Sequence, residues 1–177
     1  MTSRTPLSRV INPASIKREG TPYKLVATVT ERADIAEFLG LLELRHLSAE
    51  LTLARSASGI IAVTGHIKAD LAQSCVVTLE SVPQLMVEEI DRRFVPDGPA
   101  GSAPHLVDVV LDERDPPDTY GNIGIDIGAA AVEQLSLGLD PYPRAQGAEL
   151  PEAVLDRPAA DDLPFAVLKS VGHSDRS

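Results

Sequence analysis

The chain has no tryptophan, and aromatic residues make up only 3% of it. That is poor material for a platform that stacks nucleic-acid bases. There is a single cysteine, Cys75, which excludes an internal disulfide framework. No apolar run approaches the roughly 18 residues a membrane-spanning helix needs. The first twenty residues, MTSRTPLSRVINPASIKREG, hold no apolar stretch of about 7–15 residues, so they do not read as a secretory signal. These absences leave the cytoplasm as the expected location and no membrane as the expected setting.

Charge is plentiful, but of one sign. Sixteen Lys and Arg stand against 26 Asp and Glu, a formal net charge of −10. A general surface that acidic does not coat a polyanion, because phosphate binding needs clustered cations. The distribution is uneven. Residues 1–24 carry Arg4, Arg9, Lys17, Arg18 and Lys24 against Glu19 alone, whereas residues 88–126 carry ten acids against Arg92, Arg93 and Arg114. Either the N-terminal cations face a polyanion, or the two regions complement each other within the molecule.

A chain of 177 residues defaults to one domain and is long enough to bury roughly 70% of its unfolded surface. YKLVATVT at 23–30 alternates as a strand, with Leu25, Ala27 and Val29 on one face. Thr30 is placed to cap a helix reading ERADIAEFLGLL, in which Ile35, Phe38, Leu39 and Leu42 share a face and Gly40 marks the end. A hairpin follows. Leu47, Ala49, Leu51 and Leu53 lead into a turn at SASG, 56–59, and Ile61, Val63, Gly65, Ile67, Ala69 and Leu71 lead out. Gly65 is the natural bend in so long a strand, and His66 lies on the solvent side. A third long strand, QLMVEEIDRRFV, covers 84–95.

Residues 97–105, rich in Gly, Pro, Ala and Ser, predict a mobile loop, and LVDVVL and the acidic turn DERDPPDTYG follow it. IDIGAAAVEQLSLGL predicts a helix capped by Asp126, with Ile127, Ala131, Val132 and Leu135 on one face and Pro141 and Pro143 ending it. FAVLKSV suggests a further short helix. The expected fold is α+β: an antiparallel sheet of long bent strands with two or three packed helices. Its expected division is a basic N-terminal segment, 1–20, a single domain, 21–145, and a C-terminal extension, 146–177.

The chemistry-bearing residues are sparse. A catalytic cysteine needs a base to make the thiolate, and none of His46, His66, His105 and His173 stands in a nucleophile signature. Flanked by Leu71, Val76 and Val77, Cys75 reads as a small buried hydrophobe. A structural zinc needs four ligands at set spacings, and the residue three after Cys75 is Thr78. Asp112, Glu113, Asp115 and Asp118 offer oxygen ligands, but two prolines interrupt them and their order fits no EF-hand loop, so a solvated acidic loop is expected. No metal, cofactor or paired acid and base is expected.

Five strings in order are similar to the YceD-like family of large ribosomal RNA subunit accumulation proteins. They are ERADIAEFLGLLELRHLSAELTL, CVVTLESV, RRFVP, IDIGAAAVEQLSLGLDPYPR and LPFAVLK, and they span roughly residues 20–170. The family's usual centre reads Cys-x-x-Cys-Leu-Glu-Pro-Val. Cys75 matches the first cysteine, Thr78 replaces the second, Leu79, Glu80 and Val82 match, and Ser81 replaces the proline. Asp126, Pro141 and Pro143 fall in the fourth string. Many members carry a second cysteine group just after the Pro-x-Pro, where this chain has Ala145, Gln146 and Gly147. The resemblance therefore makes Cys75 the one survivor of a four-cysteine set.

What the resemblance implies is a non-enzymatic ribosome biogenesis factor supporting accumulation of large-subunit ribosomal RNA. Two mechanisms fit. The protein binds a basic ribosomal protein or pre-ribosomal particle through its acids, with Asp108, Asp112, Glu113, Asp115 and Asp118 as the candidate surface. Alternatively it contacts RNA directly through Arg4, Arg9, Lys17, Arg18, Lys24, Arg92 and Arg93. The charge of −10 favours the first, since cationic ribosomal proteins would be steered to it. A third reading, an enzyme with an unrecognised site, lacks any paired acid and base to support it.

Overall fold

The computed structural model describes residues 5–97 and 117–149. Two short strands, β1 (Val10–Ile11) and β7 (Ile125–Asp126), pair antiparallel as a small ribbon. The main sheet has five strands in the order β2 (Thr21–Val26), β3 (Glu43–Arg55), β4 (Ile61–Ser74), β5 (Ser81–Pro96) and β6 (Asp118–Tyr120). All its pairings are antiparallel except β5 with β6, which run parallel from Phe94 to Pro96. Helix α1 (Val29–Leu39) lies against β3, and α2 (Ile127–Gly138) lies against β4 and β5. The expected α+β class is the observed one.

Period-2 patterning decides which face is buried. Leu47, Leu53, Ile61, Val63, Ile67, Leu71 and Ile90 are fully buried and meet Ile35 of α1 and Val132 and Leu135 of α2 in one core. Each such side chain contributes roughly 1.5–3 kcal/mol by leaving water. Residues between them form the open face, where Lys24, Glu50, His66 and Glu89 sit side by side across four strands. His66 is half-exposed there, with Nε2 3.6 Å from Glu50 Oε2.

Gly65 of β4 lies opposite Leu51 of β3. Its φ is +147°, and a Cβ there would lie 2.1 Å from the Glu50 carbonyl oxygen. Only glycine fits that conformation and that gap.

Two expectations at the start of α1 are corrected. The strand stops at Val26, and the helix cap is Thr28, not Thr30. Thr28 Oγ1 accepts the Glu31 N–H at 3.3 Å, and the Thr28 N–H donates to Glu31 Oε2 at 2.9 Å. This reciprocal box needs Glu three residues after the cap, which Thr28 has and Thr30 lacks. Val29 is consequently an exposed first-turn residue. The apolar face of α1 is also narrower than its spacing suggested. Ile35 is buried and Leu39 packs on the core, but Phe38 is 56% exposed, and Leu42, past the end of the helix, is 55% exposed. Phe38 faces Val132 and Leu137 of α2 across an open groove of about 500 Å³. Gly40 ends the helix in the left-handed conformation, as expected.

The described part of the N-terminal segment packs into the fold. Leu7 and Ile16 are buried, and β1 pairs with β7. Asp126 explains the attachment. Its carboxylate caps α2 by accepting the N–H groups of Gly128 and Ala129, both at 3.0 Å, and also accepts the Arg9 N–H at 2.7 Å and the Ser8 hydroxyl at 2.5 Å. Burial works against ionising Asp126, but these donors outweigh it and hold the carboxyl below its usual range. Residues 98–105 of the expected mobile loop, the LVDVVL run and the FAVLKSV helix lie outside the described residues, as does the C-terminal extension beyond Glu149.

Candidate functional site

The connection from β4 to β5 is a closed knuckle around Cys75. The Cys75 N–H donates to the Glu80 carbonyl at 2.8 Å, and the Leu79 N–H donates to the Cys75 carbonyl at 3.0 Å. Closing the loop puts Leu79 at φ 63°, the only positive φ among the described non-glycine residues. For a branched side chain this costs about 1–2 kcal/mol.

Cys75 is fully buried, as its apolar flanks suggested, but it is not a simple hydrophobe and lies outside the main core. Its Sγ accepts the N–H groups of Ala145 at 3.3 Å and of Val77 and Thr78, both at 3.4 Å. These donors favour the thiolate. The Ala145 N–H contributes most, followed by Thr78, whose side chain and backbone both act, and by Val77. Burial opposes them, and the net effect lowers the thiol from its usual 9.0 to about 6. A sulfur with no exposure to solvent meets no substrate in this conformation. Its chemistry here is to accept hydrogen bonds and hold two loops together.

The second loop follows α2. Val76 donates its N–H to the Pro143 carbonyl at 2.9 Å, and Gln73 Nε2 donates to the Asp140 carbonyl at 3.0 Å. Asp140 Oδ1 in turn accepts the Tyr142 N–H at 2.9 Å. Pro141 is exposed and Pro143 buried beneath the knuckle. The segments that the resemblance marks as cysteine-bearing, 75–78 and 145–147, therefore meet. Glu80 accepts the Thr78 hydroxyl at 3.1 Å, and Val82 is half-buried. Leu79 is 77% exposed, Tyr142 72% and Val76 49%, alongside the exposed polar residues Thr78, Glu80, Asp140 and Arg144.

The candidate RNA-contacting cations divide. Arg9 Nη2 lies 2.6 Å from Glu31 Oε1, and Lys24 Nζ lies 3.1 Å from Glu50 Oε1. Arg92 Nη2 lies 2.6 Å from Asp118 Oδ2, Nη1 pairs with Glu133, and the guanidinium sits 5.8 Å over the Phe94 ring. Lys17, Arg18 and Arg93 are exposed with no ion pair among the described residues, and Arg4 lies outside them.

Of the candidate acidic surface, Asp118 opens β6 and is occupied by Arg92. Asp108, Asp112, Glu113 and Asp115 lie outside the described residues. The fold exposes other acids. Asp34 and Glu37 on α1, and Glu89 and Asp91 on β5, are exposed without an ion pair among the described residues. The signal for the β5 pair was present in VEEID: odd positions in that strand face away from the core. Among the described residues no three His, Cys, Asp or Glu side chains gather as a metal would require. No described helix is long and apolar enough to cross a membrane.

No family model matches this chain, and neither a curated protein nor a solved structure does.

Proposed function

We propose that this protein is a non-enzymatic assembly factor of the large ribosomal subunit. It supports accumulation of the subunit's RNA by binding a basic ribosomal protein, free or within a pre-ribosomal particle. The family resemblance supplies the biological setting. The contact between the Cys75 knuckle and the Ala145 loop supports that resemblance, because a four-cysteine set needs those two segments together.

One observation carries the preference for a protein partner over RNA. Arg9, Lys24 and Arg92, three of the cations that would grip phosphate, are spent on Glu31, Glu50, Asp118 and Glu133. Each already sits beside a carboxylate, which leaves Lys17, Arg18 and Arg93 as the exposed cations without an ion pair among the described residues, against Asp34, Glu37, Glu89 and Asp91 among the acids. Long-range attraction then favours a cationic partner, with rates that fall as salt rises.

The test is retention from a lysate on the immobilised full chain, with and without nuclease. Cationic large-subunit proteins retained after nuclease treatment support the reading. Retention of ribosomal RNA alone, lost on nuclease treatment, supports the direct RNA alternative.

A further inference from the structure

The main sheet ends on one side in an edge that nothing described covers. β6 pairs with β5 only from Phe94 to Pro96. Along residues 81–93 no described strand, loop or side chain takes the outward-facing N–H and C=O groups. The opposite edge, β2, is six residues long and carries Pro22 and Lys24, the usual means by which an edge is blunted. β5 carries Pro83 near its start and charged residues from Glu88 to Arg93, which leaves residues 84–87 without either device. Beyond Pro83 the open face presents Leu85, 82% exposed, then Val87, 66% exposed, then Glu89 and Asp91 without ion pairs among the described residues, and at its end Arg93.

We propose that the β5 edge takes an extended segment of a cationic protein as an added strand. The proposal deepens the function proposed above and rests on it for the partner's cationic character. Backbone groups supply the pairing, and alternate side chains supply the selection. An antiparallel segment reading basic-x-basic-x-apolar-x-apolar meets Asp91, Glu89, Val87 and Leu85 in turn. Cross-strand neighbours lie about 4.5–5.5 Å apart, close enough for each pair to act directly.

A second copy of this chain fits less well. Antiparallel pairing of the whole edge is centred on Val87. It sets Leu85 opposite the copy's Glu89 and Pro83 opposite its Asp91, so each acid meets an apolar side chain.

The experiment uses the full chain and a synthetic peptide, Thr-Lys-Thr-Lys-Thr-Val-Thr-Val-Thr, followed by fluorescence anisotropy and amide exchange. The peptide should bind and slow exchange at alternate amides between residues 81 and 93. Leu85→Asp with Val87→Asp, and separately Glu89→Lys with Asp91→Lys, should weaken binding at least tenfold. These side chains are exposed, so circular dichroism should report an unchanged fold. A peptide N-methylated on its pairing edge should not bind.

Four results would overturn the proposal: binding unaffected by either double variant; equal binding of the N-methylated peptide; these amides already protected in the free protein; or a dimer dispersed by Leu85→Asp with Val87→Asp. If the peptide binds the edge but no cationic ribosomal protein is retained from lysate, the edge stands and the ribosomal role falls. If such proteins are retained undiminished by both double variants, the role stands and the edge falls.

Discussion

The Ala145 N–H points at the sulfur of Cys75, 3.3 Å away and seventy residues earlier in the chain. With Val77 and Thr78 it surrounds the thiol with donors. A residue that composition marks as a small hydrophobe thus serves as an acceptor tying the end of α2 to the β4–β5 connection.

That role sets a pH dependence. A thiol whose folded-state pKa is depressed contributes stability that is fully present above its unfolded value. The contribution is lost as pH falls through the folded value. Here the window runs from 9.0 down to about 6. Chemical denaturation should show stability rising with pH across it. In Cys75→Ala this Cys75 contribution should vanish. The variant should also lose about 1–2 kcal/mol near neutral pH, because three partly buried N–H groups lose their acceptor. An equal pH slope in both proteins would show the thiol to be neutral.

Asp126→Ala should cost about 2 kcal/mol or more. It removes a helix cap and the acceptor for Ser8 and Arg9 together. Amide exchange should quicken both at the start of α2 and around residues 8–11. Quickening confined to α2 would mean that Leu7, Ile16 and the β1–β7 pairing hold the N-terminal segment without Asp126.

Gly65→Ala should be among the most damaging substitutions, at about 3 kcal/mol or more, because the new Cβ meets the Glu50 carbonyl at 2.1 Å. A thermal midpoint unchanged by this substitution would contradict the close approach of β3 and β4.

Leu79→Gly should do the reverse. The left-handed backbone suits glycine, and a side chain 77% exposed gives up little burial. Relief of about 1 kcal/mol at this site is expected, read as a higher denaturation midpoint. A destabilised Leu79→Gly would mean that the leucine packs more than its exposure indicates.

The parts of the fold that depend on periodicity were legible in the sequence. Leu47 to Leu53 and Ile61 to Leu71 alternate strictly, and Asp126 with Pro141 and Pro143 brackets α2. What periodicity could not separate was Thr28 from Thr30, since both precede the same apolar stripe. The partner at the third position, Glu31, decides it. Phe38 keeps helical spacing yet stays exposed, because α1 reaches the core mainly through Ile35 and Leu39, while Leu42 lies past the helix end that Gly40 sets. The thiol's surroundings were illegible for a different reason. Two of its donors lie within three residues, but the largest contribution comes from Ala145, and backbone N–H groups leave no mark in side-chain pattern. The pairing of Arg9 with Glu31 and of Arg92 with Glu133 likewise needs three dimensions.

The central claim is that the acids, not the N-terminal cations, carry the interaction. The most direct measurement compares the salt dependence of binding for two probes, a purified cationic large-subunit ribosomal protein and isolated ribosomal RNA. Each is titrated against the full chain, against Glu89→Lys with Asp91→Lys, and against Lys17→Gln with Arg18→Gln. The account predicts that the protein binds at physiological salt, that the acid reversals weaken it at least tenfold, and that the cation neutralisations leave it unchanged. Tight RNA binding that survives the acid reversals and whose salt slope falls by about one unit per cation removed would contradict it.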